Sequence, residues 1–190
     1  MVDGEIIPPI KSALERMDKT FCSLSQIDYS VIDDGVRKPV VENKYLERPI
    51  AYEFYHQLRK LIENGTVDFG GPIIQAEVDK TYQKCFNDGK IPDFIIHVKN
   101  KKENLAVIEF KLATNLSNLK SDLQKLVEFK QNPDLKYTHG IEVIVGDTKY
   151  LKSARRFLSQ LEQSEGEHIE VVHFDTDQWK AKHYSLRYKE

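Results

Sequence analysis

The stretch Leu105-Ala-Val-Ile-Glu-Phe-Lys-Leu-Ala113 decides the fold of this chain. Its near-continuous apolar run predicts a strand from the middle of a sheet, covered on both faces. Glu109 and Lys111 interrupt the run, and both point the same way because strand side chains alternate between faces. Burying two charges costs several kcal/mol per ion unless partners compensate. This pair therefore requires an explanation beyond core packing.

A second short apolar strand, Ile91-Pro-Asp-Phe-Ile-Ile-His-Val98, lies upstream and has Asp93 near its entrance. Two carboxylates on neighbouring strands repel each other, and a divalent cation is the usual remedy. Mg²⁺ prefers oxygen ligands, keeps several waters and is commonly shared with a phosphate. A nearby lysine can orient one of those waters and stabilise charge on the phosphate. Asp93, Glu109 and Lys111 are therefore the groups that hydrolysis of a phosphodiester needs.

Composition places the chain among ordinary globular proteins. It has 190 residues, 40% hydrophobic and 31% charged, which predicts one domain with a sizeable core. We expect no membrane span and no secretory signal. Cys22 and Cys85 lie far apart without zinc-ligand spacing, which is typical of the reducing cytoplasm. Because the net charge is −2, a nucleic-acid partner would need a local basic patch or a bound cation.

Hydrophobic periodicity predicts a helix, three strands, a helix, a strand, a helix and a strand. The first of these helices runs from Arg48 to Asn64, with Glu47 on the apolar side of its entrance and Glu53 on its polar side. We therefore expect a three-layer α/β/α fold with a mixed sheet of about five strands, the first three antiparallel. The predicted strands are Ile74–Val78, Phe94–Val98, Ala106–Leu112, Ile141–Val145 and Ile169–Phe174.

The two ends of the chain are less regular. Residues 1–46 are interpreted as an extension packed on the core, and residues 47–190 as the main domain. Within the extension, helical spacing from Pro8 to Phe21 predicts one helix. The tail from Trp179 to Lys189 mixes aromatic and basic residues. That composition suits a nucleic-acid backbone and equally suits a packed terminal strand or helix.

The spacing of the charged residues resembles a known signature. Pro92-Asp93, fifteen intervening residues and Glu109-Phe110-Lys111 are similar to the motif of the PD-(D/E)XK nucleases, the restriction-endonuclease-like superfamily. The resemblance covers about residues 47–146, whose predicted element order matches the α-β-β-β-α-β core of that family. It implies that Asp93 and Glu109 ligate Mg²⁺, or Mn²⁺ in its place, together with the backbone carbonyl of Phe110. It also implies that Lys111 positions the attacking water.

The same resemblance assigns a fourth residue. Many members, Holliday-junction resolvases among them, carry a glutamate at the start of the first core helix, and Glu47 is similar to it. Further polar residues have structural alternatives: Gln75 and Glu77 as a solvent-facing strand side, His97 as a hydrogen-bonded core histidine, and Lys120, Asp122 and Gln124 as an ordinary helix surface. For Lys111 the alternative is a side chain that snorkels, with its ammonium group in water.

The resemblance implies a Mg²⁺-dependent nuclease, acting on DNA as an endo- or exonuclease in the cytoplasm. Since one such site cuts one strand, double-strand cleavage would call for a homodimer or two events. The alternative is a catalytically silent nuclease-fold module that binds nucleic acid or a protein partner. Under the first hypothesis, we expect Lys111→Met to lose cleavage without melting at a lower temperature.

Overall fold

The computed structural model describes residues 6–28, 32–33, 36–37, 39–77, 91–98 and 104–189. The helices in these ranges are α1 (Ile7–Glu15), α2 (Lys19–Cys22), α3 (Glu47–Glu63), α4 (Leu119–Gln131) and α5 (Thr148–Leu161). The strands are β1 (Ser23–Asp28), β2 (Ile32–Asp33), β3 (Val36–Arg37), β4 (Val40–Tyr45), β5 (Ile73–Ala76), β6 (Phe94–His97), β7 (Asn104–Leu112), β8 (His139–Gly146), β9 (Glu167–Asp175) and β10 (Lys180–Tyr188).

The main sheet has six strands in the order β10-β9-β8-β7-β6-β5. Strands β5, β6 and β7 pair antiparallel, β7, β8 and β9 pair parallel, and β10 returns antiparallel to β9. The mixed α/β class is confirmed, but the expected count of five strands is wrong. The additional strand is the tail, whose lysine and arginine side chains are tolerated because β10 lies at the sheet edge. The predicted end of the first strand at Val78 lies outside the described residues.

The predicted central strand is confirmed. β7 lies between β6 and β8, and its residues Ala106, Val107 and Ile108 are fully buried. Two core clusters cover the two faces of the sheet. Ile10 from α1 and Phe54 from α3 pack with Phe110 on one face, in one cluster. On the other face, α4 and α5 pack over a second cluster that includes Val107.

The N-terminal segment differs from its predicted single helix. α1 ends at Glu15, and Asp18 starts α2 by accepting a hydrogen bond from the Thr20 N–H at 2.9 Å. Phe21 is 65% exposed, so it does not continue the apolar stripe of α1. The break places the Met17 carbonyl where it accepts a hydrogen bond from the Trp179 indole at 3.0 Å. The N-terminal segment is thereby tied to the start of the last strand.

Helix α3 agrees with the predicted helix, apart from the environment of one residue. Glu53 was expected on the polar side, yet only 7% of it is exposed. Its carboxylate accepts hydrogen bonds from the Asp18 N–H at 3.1 Å and from the Gln57 amide at 2.7 Å. The polar-side prediction was wrong because the turn after α1 covers this face of α3. No helix within the described ranges is both long and apolar enough to cross a membrane.

Candidate active site

The site forms where the last residues of β7 run past Phe94, the first residue of β6. Pairing between the two strands ends at Phe94, so the last residues of β7 continue beyond that ladder. Two carboxylates accept hydrogen bonds from the backbone there. The Phe110 N–H donates to Asp93 Oδ2 at 2.7 Å, and the Leu112 N–H donates to Glu47 Oε2 at 3.3 Å. Because β7 extends beyond β6, Asp93 at the entrance of β6 and Glu47 at the start of α3 both bind the backbone of β7.

An aromatic cluster supports this edge of the sheet. The ring centroids of Phe54 and Phe110 are 5.0 Å apart, and those of Phe94 and Phe110 are 5.7 Å apart. All three rings are buried. Since each belongs to a different element, the cluster fixes α3 and the end of β6 against β7. Glu47 at the start of α3 and Asp93 before β6 are therefore held on a rigid base.

Glu109 and Lys111 lie on the opposite face of β7, beneath α4. Glu109 is only 3% exposed, and its Oε2 accepts a hydrogen bond from Lys125 Nζ at 2.9 Å. Lys111 Nζ lies 2.8 Å from Asp122 Oδ2 and 3.9 Å from Glu47 Oε2. The Lys111 side chain is only 10% exposed. The snorkelling alternative therefore does not describe it.

A further buried carboxylate, which the sequence reasoning missed, lies beside this cluster. Glu142 of β8 is the ladder partner of Glu109 and is fully buried. Neither of its oxygens, nor Glu109 Oε1, has a hydrogen-bond partner among the residues that the structure describes. Glu142 interrupts an apolar strand just as Glu109 does, so the same sequence signal could have found it. Lys125 was also missed, although it follows Asp122 by three residues and so shares its side of α4.

Burial dominates the electrostatics of the cluster. Burial and then the charge of Asp93 raise the pKa of Glu109 to about 8, against the opposing effect of Lys125. The pKa of Glu142 is raised well above its ordinary value by burial and then by Asp122 and Glu109. Burial also raises the pKa of Asp93, against the Phe110 N–H and Lys125. These carboxylates therefore bind protons more readily than carboxylates in water.

The lysine of the predicted motif keeps its charge. Burial favours its neutral amine, but the hydrogen bond and charge of Asp122 outweigh that effect, and the pKa of Lys111 is raised. Five carboxylates, those of Glu47, Asp93, Glu109, Asp122 and Glu142, thus surround two ammonium groups, those of Lys111 and Lys125, in the part of the chain that the structure describes. When all seven groups are ionised, they carry three excess negative charges. Bound protons or a divalent cation would offset this excess.

The donor set fits a hard divalent cation that keeps most of its waters. Glu109 Oε1 is buried and has no hydrogen-bond partner among the described residues. The Phe110 carbonyl points to the same strand edge as its N–H, toward Asp93. Within the described ranges, no group of three or more His, Cys, Asp or Glu side chains is arranged to hold a metal. A complete protein cage is therefore absent from these ranges. Two carboxylates and a carbonyl are compatible with Mg²⁺, which usually retains water ligands.

A cavity of about 160 Å³ opens next to Asp93. It is lined by Glu47, Arg48, Ala51, Tyr52, Glu77, Asp93 and Phe94. The Glu77 N–H donates to the Asp93 carbonyl at 2.9 Å, and its backbone has a φ of 45°, which turns the chain at the cavity wall. Arg48 and Tyr52 are exposed, so a basic and an aromatic side chain line the cavity beside three acidic residues.

The remaining candidates divide between the site and its surroundings. Glu77 lines the cavity, whereas Gln75 Oε1 lies 2.5 Å from His97 Nε2, which agrees with a hydrogen-bonded histidine. On α4, Asp122 contacts Lys111, whereas Lys120 is exposed.

A scan against protein-family models, a search of curated proteins and a search of solved structures each found no match.

Proposed function

We propose that this protein is a Mg²⁺-dependent nuclease of the PD-(D/E)XK type, hydrolysing phosphodiester bonds in DNA. One observation carries the proposal: Asp93 and Glu47 bind neighbouring backbone N–H groups of β7, the Lys111 ammonium lies 3.9 Å from Glu47, and Glu109 is close enough to Asp93 for that charge to raise its pKa. Among the described residues around this site, carboxylates outnumber ammonium groups. A structural ion-pair network would be expected to balance its charges, because unpaired buried charge is costly. The imbalance favours a site that receives a cation.

The residues have distinct roles in this proposal. Asp93, Glu109 and the Phe110 carbonyl would hold Mg²⁺, which when bound supplies a polarised water and neutralises phosphate charge. Lys111 belongs to the same cluster of side chains as Asp93 and Glu109. It would orient the attacking water and stabilise the charge that develops on the phosphate. Glu47 keeps its carboxylate 3.9 Å from the Lys111 ammonium and so helps to position it. Arg48, exposed in the cavity wall, is suited to bind a backbone phosphate of the substrate.

Purified protein incubated with supercoiled plasmid and with single-stranded DNA tests the proposal. Cleavage is expected with Mg²⁺ and not with EDTA. Asp93→Asn and Glu109→Gln should each abolish it, because each removes one ligand charge. Glu165→Gln, an exposed carboxylate in the turn before β9, is the matched control and should cut at the parental rate. Cleavage that survives in both site variants would indicate a contaminating enzyme and overturn the assignment.

The silent module remains the second candidate, and one contact favours it. The Lys125 ammonium already neutralises Glu109, at 2.9 Å. A fold that had lost catalysis would retain such pairs as structural contacts. Binding of nucleic acid without Mg²⁺-dependent cleavage of either DNA or RNA would support this candidate over the nuclease.

A further inference from the structure

Helix α4 and strand β7 are joined by two crossed ion pairs. Lys125 on the helix pairs with Glu109 on the strand at 2.9 Å, and Lys111 on the strand pairs with Asp122 on the helix at 2.8 Å. All four side chains are mostly buried, with exposures between 5% and 20%. The two pairs are not equivalent for the proposed function. The Asp122 pair leaves both proposed metal-binding carboxylates untouched, whereas the Lys125 pair engages one of them.

Lys125 acts on the second carboxylate as well. Its Nζ lies 3.4 Å from the carbonyl of Ile91, two residues before Asp93, and its charge lowers the pKa of Asp93. One ammonium group is thus placed beside both residues that would hold a divalent cation. Two cations close together repel each other strongly in a poorly solvated site. Lys125 and a metal ion at Glu109 would therefore compete.

We propose that Lys125 is a built-in counter-ion of this site, which a divalent cation must displace from Glu109 in order to bind. The inference rests on the proposed metal-dependent function and names the residue that sets its metal affinity. In the metal-free protein, Lys125 neutralises Glu109 and closes one edge of the site. When the metal binds, the ammonium leaves Glu109 Oε2, and of the two crossed ion pairs only the one between Asp122 and Lys111 remains. Lys125 is thus a positioning residue for the metal-free state.

The first test measures metal affinity without nucleic acid. Mg²⁺ is titrated calorimetrically into the parent and into Lys125→Met over a series of pH values, and the affinities are compared where they no longer rise with pH, because loss of Lys125 also raises the pKa of Glu109 and lets protons compete with Mg²⁺. Removal of the competing charge should tighten binding by roughly tenfold or more. The matched control is Lys130→Met on the same helix. Lys130 also forms an ion pair, 3.2 Å from Glu167, but away from the site, so its removal should leave the affinity unchanged.

The second test uses the unaltered protein. Limited acetylation followed by mass spectrometry measures how fast each lysine reacts. Lys125, held by Glu109, should react slowly without metal and several-fold faster with saturating Mg²⁺, whereas Lys130 should react at the same rate in both. Equal or weaker Mg²⁺ binding by Lys125→Met, or no change in Lys125 labelling, would overturn the inference. If Lys125→Met binds Mg²⁺ more tightly but the parent protein cuts no nucleic acid, the inference about Lys125 holds. The proposed nuclease function is then rejected.

Discussion

Lys111 shows how one residue's environment changes the expected effect of its removal. Its ammonium lies 2.8 Å from the carboxylate of Asp122, and both side chains are about one tenth exposed. The nearby Glu142 is fully buried without a partner among the described residues. Loss of the lysine would therefore leave a buried carboxylate unpaired next to another. This reverses the sequence-based expectation that Lys111→Met would not lower the melting temperature.

For Lys111→Met we expect a loss of about 3–5 kcal/mol in the free energy of unfolding, because one partner of a buried ion pair is removed. Mg²⁺-dependent cleavage should fall by a factor on the order of 10²–10³. Urea denaturation and single-turnover cleavage measure the two effects.

The double variant Lys111→Met/Asp122→Asn separates stability from chemistry. It also removes the charge of Asp122, which the single variant leaves without its ion-pair partner. The double variant should therefore regain most of the lost stability while remaining inactive. Parental cleavage by the single variant would exclude Lys111 from the chemistry, and parental stability would contradict the ion pair.

At the scale of elements, the site depends on β6 being shorter than β7. A strand that outruns its neighbour exposes backbone N–H groups that need acceptors. Asp93 serves as the acceptor for Phe110, and Glu47 serves as the acceptor for Leu112. Asp93, a proposed metal ligand, therefore also has a structural role as a hydrogen-bond acceptor. Different substitutions of Asp93 can separate this role from the role of its charge.

Asp93→Asn retains a side-chain oxygen for the Phe110 N–H but loses the charge, whereas Asp93→Ala loses both. We expect the Asn variant to unfold close to the parent and the Ala variant to lose roughly 1–3 kcal/mol, because a buried N–H is left without a partner. Both should lose most of their Mg²⁺ binding. Urea denaturation and calorimetric titration measure these outcomes. An Ala variant as stable as the parent would show that water replaces the carboxylate.

For the molecule as a whole, the buried carboxylates of the site make the free energy of unfolding depend on pH. The pKa of Glu109 is about 8 in the folded protein, against an ordinary value of 4.5, so the folded state binds more protons between these values. Its contribution to stability is therefore lost as the pH rises through this window. His173 has the opposite effect below pH 6.5, because burial lowers its pKa to about 4. Above pH 6.5 the effect of His173 fades, whereas that of Glu109 persists up to about pH 8.

In that range, without divalent cation, we expect the free energy of unfolding to fall with rising pH, by up to about 1.4 kcal/mol per pH unit for each proton released. Glu109→Gln should flatten the dependence, since an amide does not titrate. Saturating Mg²⁺ should flatten it as well, because the cation replaces the protons. Urea denaturation at several pH values measures the slope. A slope that is the same in parent and variant would contradict the shifted pKa.

Much of the architecture follows from the sequence alone. The apolar run in Ala106–Leu112 and the period of 3.6 in α3 are local patterns. The run predicts a strand that is buried on both faces, and the period predicts the one buried side of the helix. They predicted the central strand, its buried Glu109 and Lys111 pair, and the helix from Arg48 to Asn64 with Glu47 at its entrance. The position of Asp93 before a neighbouring strand was predicted from the same patterns. Its contact with the Phe110 backbone agrees with that placement.

Only the tertiary structure decided which charges meet. Glu142 becomes a neighbour of Glu109 through the register of a parallel pair, and Lys125 reaches Glu109 through the placement of α4 over β7. Glu53 is buried because the turn after α1 lies on it, and the tail becomes a sixth strand because β9 offers it an open edge. These features depend on contacts between residues distant in sequence. Local periodicity determines the buried side of an element, whereas packing between elements determines what covers it.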